Sequence, residues 1–235
     1  MLITGNVRVL AQQHKKCWTD KSSWTYNSTA GSPTVTILTA APPTAGDLVS
    51  LKPNGGGFVE QICEVLTVSA GVSFTVEALG TTATVAGGTF TSTGQLTVFK
   101  WTMPKNTMGI NDSIEIELKH FNGGNAALQK IHYKLDGTDF ATNGWTNVAV
   151  ISGNATQKFS NRNSYSSQIG GINDSASASS YNIGMGVAIP TLTKNTLTTD
   201  LVISVTYEKG SATMDAGLES CIVKLYQSVQ GLTYL

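Results

Sequence analysis

Between Ser113 and Phe121 the chain reads SIEIELKHF, with Ile114, Ile116, Leu118 and His120 on one side and Glu115, Glu117 and Lys119 on the other. A two-residue period with one apolar and one charged side predicts a strand packed on one face and wetted on the other. The pattern recurs at short spacing. PTVTILT (33–39), FVEQICEVLTV (58–68), GVSFTVEAL (71–79) and GQLTVFKWT (94–102) read as strands, with a turn expected at Ala70-Gly71. LQKIHYKLDG (128–137) is expected to pair with 113–121 across the turn-rich FNGGNAAL, and WTNVAVISG (145–153) and TQKFS (156–160) add further strands. Helix signals are sparse: AQQHKKCW (11–18) has room for one or two helical turns and no more.

Towards the C-terminus, TTDLVISVTYEKG (198–210) and LESCIVKLYQ (218–227) read as a hairpin. Leu201, Ile203, Val205 and Tyr207 share one face of its first strand, and Glu219, Cys221, Val223 and Leu225 one face of its second. Neither strand has a cleanly polar side, which predicts a core on one face and a partial cover, such as a neighbouring subunit, on the other. About a dozen such strands, separated by Gly- and Asn-rich turns, define an all-β chain: an antiparallel two-sheet sandwich, with a jelly roll as the expected topology. Residues 1–92 are less regular and are punctuated by GSPTV, APPTAGD and KPNGGG. The expected division is therefore 1–92 as an N-terminal β region or attachment segment and 93–235 as the sandwich. One internal echo stands out. KNTMGINDSIEIEL (105–118) aligns with KNTLTTDLVISVTY (194–207) and matches Ile114 to Ile203, Ile116 to Val205 and Leu118 to Tyr207. A sandwich that reuses one corner design in its two sheets would look like this; chance similarity in a Thr/Asn-rich chain is the alternative.

Composition narrows the function classes. Of 235 residues, 40% are hydrophobic and 13% charged, with 15 basic against 15 acidic side chains and a formal net charge of zero. An average domain has about 25% charged residues. Such a surface does not steer itself to nucleic acid or to an anionic membrane, and it suits a protein partly covered by partners. No stretch approaches the roughly 18 apolar residues of a membrane span, so no membrane insertion is expected. MLITGNVRVLAQQ lacks the apolar run of a signal peptide, so synthesis in a cytoplasm is expected. Cys17, Cys63 and Cys221 form neither a disulfide framework nor a CxxC pair, and read as free thiols.

Candidate chemistry is thin. His14, His120 and His132 are the only histidines. The last two, placed on neighbouring predicted strands, do not complete a zinc set, so no metal is expected. Asp112, Asp136, Asp139, Asp174 and Asp200 fall in turns, where aspartate usually bonds its own backbone, and no carboxylate pair faces one groove. There is no GxSxG elbow, and NGGG (54–57) and NGG (122–124) lack a following GK[ST]. The expectation is a protein without cofactor or catalysis. The aromatic residues are more informative: Trp18, Trp24 and Tyr26 in CWTDKSSWTY, Trp145 after ATNG, and Tyr165 and Tyr181 within SNRNSYSSQIGGINDSASASSYNIG (160–184). Rings in polar segments can stack on sugars, anchor an interface or cap the ends of a sandwich. In that long polar stretch, 159–168 is expected to continue as a sheet edge and 170–180 as an exposed loop.

Three phrases carry a resemblance: MPKNTMGINDSIEIEL (103–118), SGNATQKFSNRNSYSSQIGG (152–171) and TTDLVISVTYEKGSATMDAGLESCIVKLY (198–226). They resemble the jelly-roll domains of tailed-bacteriophage virion proteins, found in tail spikes, tail fibres and capsid-attached fibres, over a little more than half the chain. The resemblance implies a structural virion component of the tail or head surface. It implies a homo-oligomer, a trimer by analogy, that contacts other virion proteins and can face a host receptor it does not specify; the aromatic residues make a host-surface glycan one candidate. It also implies that Asn161, Arg162, Asn163, Ser164, Ser167 and Gln168 are structural residues at a sheet edge or subunit contact. Two other classes stay open: a carbohydrate-binding module, motivated by Trp18, Trp24 and Tyr26 on a β frame, and a polysaccharide hydrolase or lyase, which needs a groove with converging ionisable groups.

Overall fold

The structure is a computed structural model that describes residues 6–28, 32–39, 43–54, 60–78, 87–90, 94–123, 125–147, 151–171 and 190–228. These form β1 (Val7–Gln13), β2 (Cys17–Thr19), β3 (Thr25–Ser28), β4 (Thr34–Leu38), β5 (Leu48–Leu51), β6 (Gln61–Ser69), β7 (Ser73–Glu77), β8 (Gly88–Thr89) and β9 (Gly94–Met103). They continue with β10 (Ser113–Asn122), β11 (Asn125–Leu135), β12 (Thr138–Asn147), β13 (Ile151–Asn161), β14 (Gln168–Ile169), β15 (Thr191–Leu192), β16 (Leu201–Lys209) and β17 (Ala216–Tyr226). The segment 11–18 is not helical. β1 runs to Gln13, the chain breaks at His14–Lys16, and β2 resumes the same edge.

Two sheets face each other across one core. One contains β1-β17-β10-β13, extended by β14 and β15; the other is β9-β16-β11-β12. Numbered along the chain, the eight principal strands lie in the orders 1-8-3-6 and 2-7-4-5, which is the jelly-roll arrangement. The alternation in the sequence now has a direction. Ile114 and Ile116 of β10 and Val223 and Leu225 of β17 point inward, against Ile131 and Tyr133 of β11 and Ile203 and Val205 of β16. Glu219 does not share the face of Cys221, Val223 and Leu225 as strict alternation predicts. The pairing of β17 with β10 slips between Lys119 and His120, a bulge that leaves Glu219 without a cross-strand partner and turns Leu218 inward instead.

Sequence neighbours are mostly not sheet neighbours. β10 does not pair with β11; its partners are β13 and β17, and β11 pairs with β12 and β16. Likewise β16 and β17 are no hairpin but sit in opposite sheets. WTNVAVISG is the end of one strand and the start of another in the facing sheet. A tight hairpin does join β11 to β12. Asp136 and Gly137 both have positive φ (50° and 78°) between the paired Leu135 and Thr138, as a two-residue type I′ turn requires. The echo is realised in space. β10 and β16 occupy opposite sheets, their matched residues are all buried, and the two Lys-Asn-Thr corners meet at one end: Asn106 N donates to Thr196 O at 2.8 Å, and Lys105 N to Asp200 Oδ1 at 2.7 Å.

β2 to β8 form an insert between the first two jelly-roll strands, so β1, within the expected 1–92 region, belongs to the sandwich sheet. The insert has its own core of Trp24, Tyr26, Val35, Ile37, Val49, Leu51, Cys63, Val65, Phe74, Val76 and Phe90. The expected turn at Ala70-Gly71 joins β6 to β7, with Gly71 at φ 69°. The joint to the sandwich is β2, antiparallel to β17 at Gly217 and Leu218 and parallel to β5. Gly217 is required there: a Cβ on it would run into the main chain of Cys17 and the ring of Phe121. A polar seam flanks the joint. Thr19 Oγ1 donates to Ala216 O at 2.9 Å, Lys21 pairs with Asp215, and the buried Lys209 ammonium donates to Asp20 O. Burial pushes the Lys209 amine down to about 8.

Candidate functional site

The aromatic cluster does not form a ligand platform. β3 and β4 alternate, so Tyr26 turns into the insert core, and Trp24 packs edge-on to Phe74 with ring centroids 5.3 Å apart. Tyr26 packs against Phe90 at 5.4 Å. Both rings are buried, which corrects the expectation that they meet a ligand or a partner. Trp18 is half-buried and already engaged: its Nε1 donates to Asp47 Oδ2 at 2.9 Å, its ring lies edge-on to Phe121, and the Lys16 ammonium sits 4.2 Å from its centroid. Trp145 is on β12, with its side chain outside the described residues, as is Tyr181 entirely.

The segment after β13 is a polar staple. Asn161 and Gln168 are buried, paired across β13 and β14. Asn161 Nδ2 donates to Gly109 O at 2.8 Å and Thr196 Oγ1 at 3.0 Å; Gln168 Nε2 donates to Asn161 Oδ1 at 3.0 Å and Lys194 O at 2.9 Å, and Gln168 Oε1 accepts from Lys194 N at 3.0 Å. Tyr165 contributes its carbonyl, which accepts from Thr196 N at 2.9 Å. The side chains of Asn161 and Gln168 are therefore spent inside the fold and cannot meet another subunit. Arg162 and Asn163 are exposed, with Ser164 and Ser167 half-buried beside them. Gln168→Ala is expected to cost about 2 kcal/mol, because it removes the partner of the buried Asn161 amide and of the half-buried backbone of Lys194 and Tyr165; a denaturant midpoint within error of wild type would contradict this.

His132 is held by two carboxylates. It stands on β11, on the outer face of the four-stranded sheet, and its two ring nitrogens lie 2.9 Å from Asp139 Oδ2 of β12 and 2.9 Å from Glu208 Oε2 of β16. Gln95 Nε2 approaches the same ring at 3.3 Å from Nε2, so three side chains crowd the two ring nitrogens and hold the imidazole in place. Burial pushes the Asp139 carboxyl up, but the hydrogen bond and charge of His132, with Lys134 at 3.4 Å, outweigh it and hold the group below its ordinary value. The arrangement is a polar clamp across three strands. His132→Gln is expected to lower stability by about 1–2 kcal/mol, since one carboxamide cannot bond both carboxylates and leaves one of them without its partner; thermal unfolding measures it. His120 is on the other sheet, buried in the core, and does not approach His132. Among the described residues no group of three or more His, Cys, Asp or Glu side chains could hold a metal ion. Burial raises all three thiols, Cys63 to about 11, so none is a ready thiolate.

The outer face of β10 and β17 carries three carboxylates, two of them paired with lysines and one with a phenol. Tyr226 OH donates to Glu115 Oε1 at 2.6 Å, Lys224 Nζ to Glu117 Oε1 at 2.5 Å, and Lys119 reaches Glu219 at 3.5 Å. The Glu115 hydrogen bond pushes the Tyr226 phenol up to about 12.

A groove of about 590 Å³ runs where the insert meets the free edge of β9. Gln13 from the end of β1, Glu60, Gln61 and Ile62 from the start of β6, and Lys100 and Trp101 from β9 line it. The edge backbone is already occupied there: Thr97 N donates to Glu60 Oε1, and Gln13 Nε2 approaches Val98 O at 3.4 Å. The sequence held no sign of this site, because its parts lie far apart and meet only through the β2 joint. Neither a protein-family model nor a curated protein matches the chain.

Proposed function

We propose that this protein is a structural component of a tailed-bacteriophage virion, on the tail or head surface, that acts by assembly as a homo-oligomer and by contact with the host, without catalysis. The observation that carries the reading is the jelly-roll strand order, on which all three resembling segments fall at structural positions: 103–118 at the β9–β10 corner, 152–171 at the β13–β14 staple and 198–226 on β16 and β17. The outer face of β10 and β17 suits packing against a copy or another virion protein, because each of its carboxylates already has a lysine or tyrosine partner there. Particles purified on a density gradient from cells producing this chain are expected to contain it in stoichiometric amount. A chain confined to the particle-free fraction would overturn the reading. A trimer mass in solution would support the threefold assembly that the resemblance implies; a monomer at micromolar concentration would count against it.

A further inference from the structure

We infer that the groove between β9 and the insert is a binding site for a neutral saccharide, whether or not the chain resides in a virion. Ligand sites favour junctions between structural units, and this groove is the junction of jelly roll and insert. Its lining mixes the flat indole of Trp101 and the apolar Ile62 with two carboxamides, Gln13 and Gln61, and the hydroxyl of Thr102. A sugar ring presents the same mixture: an apolar C–H face that stacks on an aromatic ring, and hydroxyls that both donate to and accept from amides. Charge excludes the main competitors. Lys100 and Glu60 are the groove's only ionisable lining residues and cancel, so a phosphate or sulfate ligand meets no cationic cluster. An extended peptide adding to the β9 edge is disfavoured at Thr97 and Val98, whose backbone groups are already engaged by Glu60 and Gln13.

The test is binding of immobilised neutral tetrasaccharides of glucose, galactose, mannose and N-acetylglucosamine, with sulfated tetrasaccharides alongside, followed by calorimetry with the best of them. At least one neutral tetrasaccharide is expected to bind. Gln61→Ala, a substitution at the rim, and Trp101→Phe, which keeps an apolar ring against the core while shrinking the platform, should each weaken binding about tenfold. Ser220→Ala on the far sheet should leave it unchanged. No neutral binding by folded protein, binding confined to sulfated sugars, or affinity unmoved in both groove variants would each overturn the inference. Particle association is read separately, so its failure would leave this result standing.

Discussion

Lowering the pH from 7 to 4 is expected to remove about 3 kcal/mol of folding stability through His120 alone. The ring is fully buried on β10, between Gly153 of β13 and Leu218 of β17, and burial pushes its pKa from 6.5 down to about 4. The sign follows from proton counts. Between pH 6.5 and 4 the unfolded chain binds a proton at this site and the folded chain does not, so acid favours unfolding. The stabilisation is complete above 6.5 and is lost as pH falls towards 4. Urea unfolding at half-unit steps should show this loss in wild type and a much flatter profile in His120→Gln. Parallel profiles would sink the assignment. Asp139, also depressed, acts in the same direction but below its ordinary value of 3.8, outside this window.

Gly217→Ala is expected to destabilise the protein by about 3 kcal/mol or more, an unusually large effect for a single methyl group. The strain falls on the β2–β17 joint, because the new Cβ meets backbone that cannot swing aside as a side chain could. Two outcomes are open to the chain: β17 shifts as a whole, or β2 detaches and loosens the insert. Hydrogen exchange separates them. Faster exchange limited to Trp18, Thr19 and their β5 partners means detachment; general loss of protection means the sandwich has paid. Wild-type stability in the variant would show that the backbone yields freely there.

Alternation made faces legible but not partners. Period alone puts Ile114, Ile116 and Leu118 on a buried face and groups Leu201, Ile203, Val205 and Tyr207 on one face, and all seven are buried. The pairings 113–121 with 128–137 and 198–210 with 218–227 failed for one reason. Side-chain period reports which face is apolar, and a jelly roll sends most consecutive strands to opposite sheets, where both still bury one face. The Asp136-Gly137 dipeptide was a usable signal for the β11–β12 hairpin, and it argued for a turn at that point with the next strand immediately after. Trp24 and Tyr26 read as surface rings because their neighbours are Ser, Thr and Asn. In the short strand β3 the polar neighbours of Tyr26 simply point the other way, and Trp24 closes the turn before that strand with its ring turned inward. The polarity of Asn161 and Gln168 suggests an outer edge or a subunit contact, but buried amides that satisfy one another serve equally well inside.

The position of β17 sets an order on biosynthesis. Among the described residues this strand is the last, yet it lies between β1, the first, and β10, and also holds β2. Until Tyr226 has left the ribosome, β1 and β10 have no strand between them, and two hydrogen-bonding edges stay open along the nascent chain. The insert is different, since its strands from β3 to β8 find one another within residues 25–89. It can collapse while the remainder is still being made, with low contact order and no need for the C-terminus. The jelly roll is thus sealed by its final strand, and a nascent chain stalled or cut before Ala216 would be left with a folded insert and an open, adhesive sheet.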